Sequence, residues 1–348
     1  MSKVLHHVVI QTAFLGDLFL AIPLLKSLKE LFPDDHVILV CKTGLGDYFL
    51  AEKLVDHVIE VKKNDRESYV IALAKLNILK IGYLFCVHRS IRSLLLSFQI
   101  NAKTKIGFKS FLGGFVFKHT VHFKKDWPEA LRQLWILSAV DPKVQRKLLQ
   151  GNWAVLNRAD NDGNLAKIPA EFCAPHRSLT AEKQIAIFPG SVWATKKWTE
   201  DGFSQVAAHF SSLGYKVFLM GGPDERIICE NIKKLVPACE INAGQKTILE
   251  SVTFIKSCHL VISNDSAPTH MAASQNIPVL TIYGPTTLNL GFRPWSSNAM
   301  VVQNNNLSCR PCGKHGHQKC PLGHHHCMTE ISSQAVIRAA TALLSSSH

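Results

Sequence analysis

The strongest constraint on the fold is an alternation of short, apolar, β-branched runs with segments of helical periodicity, and this alternation occurs twice. In the first half, residues 17–31 repeat leucines at helical spacing between two strand-like runs. Strands that alternate with helices predict a parallel sheet built from βαβ units. The strand-like runs of this half are 8–10, 37–40, 58–61 and 83–87.

A second alternation follows residues 152–182, a polar, proline-containing stretch that we interpret as a linker. It predicts helices over 199–213 and 332–344 and strands over 184–188, 216–220, 260–262 and 279–283. The sequence therefore predicts an α/β protein of two doubly wound, Rossmann-like domains, 1–160 and 161–348, facing a cleft. It leaves open whether the C-terminal helix packs back on the first domain.

Charge limits the classes of partner. Lysine and arginine number 39 against 26 acidic residues, a formal net charge of +13. This excess favours polyanions, namely nucleic acid, acidic lipid or phosphorylated substrates. No RGG or RNP-like segment accompanies it, so nucleic acid is not expected. The apolar stretch 15–25 contains an aspartate and precedes no cleavage site, and no run of 18 apolar residues occurs, so we expect a cytoplasmic protein.

Two loops that follow strand-like runs of the two halves carry candidate catalytic groups. Gly16 permits a tight turn, after which Asp17 begins a helix. Asp17 either stabilises that helix N-terminus or takes a proton from a sugar hydroxyl. The loop with Gly190 and Ser191 offers backbone N–H groups to an anion, and Lys196 adds positive charge. A solvated basic turn is the alternative.

Two further loops in the second half suggest nucleotide contacts. Gly222 allows a ligand to approach the protein backbone closely, and Glu225 could bind ribose hydroxyls, although a plain strand-to-helix turn fits equally. Asp265 and Ser266 either cap the next helix or direct its N–H groups toward a diphosphate, and His270 lies one turn further on.

Taken together, these loops resemble glycosyltransferase family 9, the ADP-heptose:lipopolysaccharide heptosyltransferases. The family often has glycine where this chain has Ala267, and the segment from His88 to Arg92 is similar to a loop on its acceptor side. The matching motifs are Gly16-Asp17, Pro189-Gly190 with Lys196 and Trp198, Gly221-Gly222-Pro223, Asn264-Asp265-Ser266 with His270, and Tyr283-Gly284-Pro285-Thr286.

The resemblance implies a GT-B fold and an inverting transfer of heptose from ADP-heptose to the inner core of lipopolysaccharide, with no cofactor and no catalytic metal. It implies that Asp17 is the general base and that Lys196 neutralises the departing diphosphate. Substrate contacts are implied for Thr12, Gly16, Arg89, Arg92, Gly190, Ser191, Gly222, Glu225, Asp265, Ser266 and His270.

The implied partners explain the basic charge. Besides the nucleotide-sugar donor, the enzyme would bind an acidic glycolipid acceptor, the lipid A–Kdo inner core of the Gram-negative outer membrane. It would then contact the inner face of the inner membrane as a peripheral protein.

A cysteine cluster near the C-terminus resembles the tail of heptosyltransferase II-like members. Cys309 and Cys312 have metal-ligand spacing, whereas Cys320 and Cys327 form no second Cys-x-x-Cys. Structural zinc and reduced or partly bridged thiols both remain open. For the whole chain, the alternatives are a GT-B transferase that uses another nucleotide sugar and a noncatalytic protein that binds nucleotides or polyanions.

Overall fold

The computed structural model describes residues 4–172 and 182–346. Its contacts divide the chain into two compact units, Met1–Trp153 and Ala154–His348. The predicted boundary at residue 160 lies inside the second unit. Part of the predicted linker, residues 173–181, is outside the described residues. Its described part contains short 3₁₀ turns at Trp153–Asn157 and Ala170–Phe172.

The first unit is built on a parallel six-stranded sheet with the order β3-β2-β1-β4-β5-β6. Its three central strands are buried at most positions, as expected for a parallel sheet that helices cover on both faces. The strands are β1 (His6–Ile10), β2 (His36–Lys42), β3 (His57–Val61), β4 (Ile81–Cys86), β5 (Ala102–Phe108) and β6 (His119–Val121).

Eight α-helices belong to the described part of this unit, and the predicted helix over 17–31 forms two of them. Pro23 lacks the N–H that would continue the first helix, so a break falls at Ala21. The helices are α1 (Leu15–Leu20), α2 (Ile22–Leu31), α3 (Asp47–Ala51), α4 (Arg66–Asn77), α5 (Ile91–Gln99), α6 (Gly113–Val116), α7 (Glu129–Leu134) and α8 (Pro142–Leu149).

The second unit repeats the architecture with the strand order β12-β11-β10-β7-β8-β9. Its strands are β7 (Gln184–Phe188), β8 (Lys216–Leu219), β9 (Glu240–Ile241), β10 (Leu260–Asn264), β11 (Val279–Tyr283) and β12 (Ala299–Gln303). Its helices are α9 (Glu200–Ser212), α10 (Arg226–Leu235), α11 (Ile248–Ile255), α12 (Ala267–Ser274), α13 (His326–Thr329) and α14 (Ser333–Ser345).

The C-terminal helix α14 belongs to the core of this second unit. Val336, Ala340 and Leu343 are buried among residues of α9 and of the central strands. The helix therefore covers one face of the second sheet. Among the described residues, no helix is both long and apolar enough to span a bilayer.

Both sheets run outward in two directions from a central pair of strands, β1 with β4 and β7 with β10. The loops that leave such a pair at its carboxyl end diverge, and the crevice between them is where doubly wound sheets bind ligands. The predicted α/β class with two doubly wound units is confirmed. The fold also places the motif-bearing loops at these two crevices.

Candidate active site

In the first unit, the loops after β1 and β4 meet through a network of small polar side chains. The Thr12 hydroxyl lies 2.9 Å from His88 Nδ1 and 3.0 Å from Ser93 Oγ. Ser90 is the N-cap residue of α5, and its hydroxyl accepts a hydrogen bond from the Ser93 backbone N–H. Burial, together with the positive charges of Lys42 and Arg92, lowers the pKa of His88 to about 4. His88 is therefore a neutral ring that fixes the two loops.

Asp17 lies in the first turn of α1, beside this crevice. Its Oδ2 accepts the Phe14 N–H at 3.2 Å, so the carboxylate does stabilise the start of its own helix. Burial raises its pKa to about 6, opposed by backbone hydrogen bonds and by the charges of Lys42 and Arg132. A carboxylate with this pKa is basic enough to accept a proton and remains ionised at neutral pH.

A charged group on α7 adjoins Asp17, and the sequence analysis did not identify it. Glu129 pairs with Arg132 at 2.9 Å, and both side chains are largely buried. Burial raises the pKa of Glu129 to about 7, with a further contribution from the charge of Asp17. The Gln133 amide donates to the Asp17 carbonyl at 3.1 Å and to Glu129 at 3.1 Å. Helix α7 thus sets both the position and the electrostatics of α1.

Three exposed or half-buried cations complete the first group. Arg89 stacks on the Phe123 ring at 4.0 Å, and its charge lowers the pKa of Glu129. Arg92 and Lys42 lie close enough to lower the pKa of His88. The predicted residues Thr12, Gly16, Asp17, Arg89 and Arg92 therefore share one polar, positively charged edge of the first sheet.

In the second unit, Asn264 joins the loops after β7 and β10. Its amide donates to the carbonyls of Pro189 at 2.9 Å and Gly190 at 3.1 Å, and its carbonyl accepts the Trp198 N–H at 3.0 Å. All these groups are buried. Asn264 thus has a positional role that fixes the loop bearing Lys196 next to the start of α12.

Lys196 and Asp265 form the charged centre of this second group. The ammonium of Lys196 lies 2.6 Å from Asp265 Oδ2, and the Thr286 hydroxyl donates to the same oxygen at 2.6 Å. The side chain of Asp265 is 5% exposed and that of Lys196 is 12% exposed. The lysine is therefore held in place, with a small part of its surface open to an incoming anion.

The start of α12 carries two groups that its own helix does not use. Ser266 is the N-cap residue, yet its side chain makes no capping hydrogen bond, so the predicted capping role is wrong for this residue. His270 is buried, and none of the described residues hydrogen-bonds its Nδ1. Burial lowers the pKa of His270 to about 4, so the ring is neutral beside the Lys196–Asp265 pair.

Glu225 connects the loop after β8 to the loop after β7. One of its oxygens accepts the Gly222 N–H at 2.8 Å. A Cβ placed on Gly190 would come within 1.9 Å of its other oxygen, and one on Gly221 within 2.5 Å of Oε2. A side chain at either position would therefore have to displace the Glu225 carboxylate, which lies against the backbone. Ser191 is buried in the same loop.

The thiols of the cysteine segment lie close enough to raise one another's pKa, but their sulfur atoms are not gathered as a set of metal ligands. Among the described residues, the ligand atoms of Cys309, Cys312, Cys320 and Cys327 do not converge as a group of three or more. The structure therefore gives no support to structural zinc at these thiols. The four cysteines are present as free thiols.

Instead, the segment packs over the loop that carries Lys196. The backbone N–H and carbonyl of His317 bond to Thr195, and the His325 ring donates to the Thr195 carbonyl at 2.7 Å. His315 stacks on Trp193, and the charge of Lys196 helps to lower the His315 pKa. Arg310 donates to the Thr286 carbonyl at 2.8 Å. The tail is thus a positioning element of the second group.

Comparison with known proteins decides the family. A model described as glycosyltransferase family 9 (heptosyltransferase) matches residues 84–323, more than half of the chain. The chain belongs to glycosyltransferase family 9. It is therefore an enzyme that transfers glycosyl groups, as predicted. Asp17 lies before the matched residues, so its role as a base stays a prediction.

Relatives of family 9 match over nearly the full length. The lipooligosaccharide heptosyltransferase 2 of Campylobacter jejuni is 26% identical over 96% of this chain and 97% of that protein. Among solved structures, a family 9 glycosyl transferase from Veillonella parvula has a TM-score of 0.76, with 22% identity and 99% of each chain covered. The E. coli ADP-heptose lps heptosyltransferase II has a TM-score of 0.75, with 20% identity over 98% of this chain and 99% of that one. These likenesses support the GT-B fold.

Proposed function

We propose that this family 9 member transfers heptose from ADP-heptose to the inner core of lipopolysaccharide, with inversion at the anomeric carbon. The observation that carries the proposal is chemical complementarity between the two crevices. One holds a carboxylate with a pKa of about 6, and the other holds a lysine fixed beside the start of a helix. The names of the relatives, which include an ADP-heptose lipopolysaccharide heptosyltransferase, support the donor and the acceptor.

In the proposed reaction, Asp17 removes the proton from the acceptor hydroxyl. The hydroxyl oxygen bonds to the anomeric carbon of heptose as the bond from that carbon to the diphosphate oxygen breaks. ADP leaves with the bonding electron pair, and the proton stays on the carboxyl group. Arg132 and Lys42, whose charges oppose the raised pKa of Asp17, keep a useful fraction of the carboxylate ionised at neutral pH.

The donor is proposed to bind in the second unit. Negative charge on the diphosphate grows as ADP departs, and Lys196 neutralises it together with the N–H groups at the start of α12. Asp265 and His270 are proposed to contact the donor sugar and phosphate, and Glu225 the ribose. A neutral, buried His270 whose Nδ1 lacks a partner among the described residues suits a hydrogen bond with such a ligand.

The first unit is proposed to bind the acceptor and to contact the membrane. Residues 68–125 contain ten lysines and arginines, among them Arg89 and Arg92, and no acidic residue. Within this stretch, α5, α6 and the two residues before α6 expose apolar side chains to solvent. They are Ile91, Leu95, Phe98, Phe111, Leu112 and Phe115, all more than half exposed. An apolar patch with basic surroundings favours peripheral contact with an anionic bilayer, which we propose to be the cytoplasmic face of the inner membrane.

The test is product identity. Incubation with ADP-heptose and a Kdo–lipid A acceptor is expected to release ADP and to yield a heptosylated acceptor. Release of UDP from a UDP-sugar, with no reaction of ADP-heptose, would show that the donor is a UDP-sugar and not ADP-heptose. Absence of turnover with every nucleotide sugar would contradict the proposed transfer and favour a noncatalytic protein that binds nucleotides or polyanions.

A second expectation concerns metal ions. Because the proposed site neutralises the diphosphate with Lys196 and helix N–H groups, turnover should survive EDTA. Loss of activity that added Mg²⁺ restores, with the fold intact by circular dichroism, would contradict this.

A further inference from the structure

Three histidines lie side by side at the amino ends of strands in the first sheet. The proposed active site lies at the carboxyl ends. His6, His36 and His57 are the first residues of β1, β2 and β3. In the parallel register His6 pairs with His36, and Ile38 pairs with His57. Strand pairing therefore brings the three rings together at the amino ends of adjacent strands, whereas Asp17 follows a carboxyl end.

The nitrogens of these rings converge as metal ligands do. One ligand atom from each ring lies within 4.8 Å of those of the other two. His36 Nδ1 and His57 Nε2 are 3.4 Å apart. Two imidazoles on one tetrahedral zinc ion, each with a Zn–N bond of about 2.0–2.1 Å, have their nitrogens roughly 3.3–3.4 Å apart. The two nitrogens are within hydrogen-bond distance of each other, and this separation is also the one that a shared ion requires.

The orientation of the rings favours a common ligand over stacking. The His36 ring lies edge-on to His6 at 5.3 Å and to His57 at 5.2 Å, with interplanar angles of 82° and 68°. His6 Nδ1 is buried, and none of the described residues hydrogen-bonds it. A buried polar atom without a partner is rare in proteins.

The surroundings hold the cluster in place and carry negative charge. Asp35 directly precedes His36 and accepts hydrogen bonds from the Leu5 N–H and the His7 ring. Asp56 directly precedes His57 and pairs with Lys29 at 2.7 Å. Both carboxylates are committed to fixing strand starts, so neither supplies a ligand atom, and Lys29 offsets the charge of Asp56 while Asp35 acts on the His6 ring. His57 is exposed, which gives an ion access from solvent.

We propose that His6, His36 and His57 form a binding site for a divalent transition-metal ion of the zinc class, with water completing the coordination. Three imidazoles and water suit such an ion better than Mg²⁺ or Ca²⁺, which prefer oxygen ligands. The ion would join the amino ends of three strands and stabilise the first unit. It would take no part in glycosyl transfer.

The test is metal binding by the full-length, metal-free protein after alkylation of its thiols, which removes cysteine as a competing ligand. Zn²⁺ titration by calorimetry should give one site per chain and raise the unfolding temperature. Co²⁺ should give a visible spectrum typical of nitrogen and oxygen ligands. His57→Gln alters an exposed residue and should weaken binding by at least about 100-fold, since even a lost partner of a ligand costs 10–100-fold.

His119→Gln is the matched control, because His119 is also an exposed first residue of a strand in the same sheet, β6. It should bind zinc as the unaltered protein does. Both variants should unfold at the original temperature without metal. The proposal is overturned if the alkylated protein binds no zinc, or if His57→Gln binds it as tightly as His119→Gln. Because turnover is measured separately, this outcome is independent of the proposed function.

Discussion

Asp17→Asn should make the protein more stable at neutral pH while it abolishes efficient turnover. Burial raises the carboxyl pKa from 3.8 to about 6, which corresponds to roughly 3 kcal/mol of destabilisation of the ionised form. Asparagine removes this charge and keeps an oxygen that can accept the Phe14 N–H. The gain should raise the unfolding temperature by roughly 5 °C or more.

The sign depends on pH. A carboxyl group whose folded-state pKa lies above its unfolded value favours the folded state when protonated. The difference between the variant and the original protein should therefore be fully present above about pH 6 and vanish near pH 4. Turnover of the original protein should fall as pH decreases through about 6, because the base becomes protonated.

The assay combines thermal unfolding at several pH values with ADP release. Turnover of Asp17→Asn should fall by about 10²–10⁴-fold, the usual contribution of a general base. Asp47→Asn is the control, since Asp47 is an exposed first-turn aspartate on α3 of the same unit, and it should change neither property. Full activity in Asp17→Asn would refute the base. An unchanged unfolding temperature of Asp17→Asn at neutral pH would contradict the predicted destabilisation by the buried Asp17 carboxylate.

Three other substitutions test the surroundings of the two crevices. Glu129→Gln removes a negative neighbour of Asp17 and breaks the ion pair with Arg132, so the pH–rate profile should extend to lower pH; a profile that does not move would contradict the coupling. Lys196→Ala should lower kcat/KM by a factor that corresponds to roughly 2–4 kcal/mol of lost transition-state stabilisation, as for loss of one preorganised donor, and a near-neutral effect would reject its role. Gly190→Ala places a Cβ against Glu225 and should raise the KM for the donor more than it lowers kcat; an unchanged KM would show that the carboxylate moves freely.

Much of the fold could be predicted because both halves contain strands that are buried on both faces, which read as continuous apolar runs. The runs 184–188 and 279–283 coincide with β7 and β11. The edge strands β6 and β9 are short and half exposed, so hydrophobicity did not identify them. The leucine spacing over 17–31 predicts one helix because it continues past Pro23. The backbone hydrogen bonds of a single helix cannot continue there, since proline has no N–H.

The candidate site was predictable where function requires a local motif. Gly16-Asp17 and Asn264-Asp265-Ser266 lie at the two strand ends where chain direction diverges. Each loop alone fits a helix cap equally well, and the resemblance to family 9 is what assigned them a role. Glu129 could not be found, because its neighbour Asp17 is more than a hundred residues away in the sequence and only packing of α7 on α1 joins them. The packing of His317 on Thr195 is equally non-local. The histidine cluster likewise depends on strand register.

The central claim is a division of labour, in which the second unit binds the diphosphate and Asp17 acts only on the acceptor. Calorimetric titration of ADP into the original protein, Asp17→Asn and Lys196→Ala tests it directly. A hydrogen bond to a charged group contributes about 1.5–3 kcal/mol. Lys196→Ala should therefore bind ADP about 10–100-fold more weakly, whereas Asp17→Asn should bind it as the original protein does. Equal ADP affinity in Lys196→Ala, or weakened affinity in Asp17→Asn, would contradict the assignment.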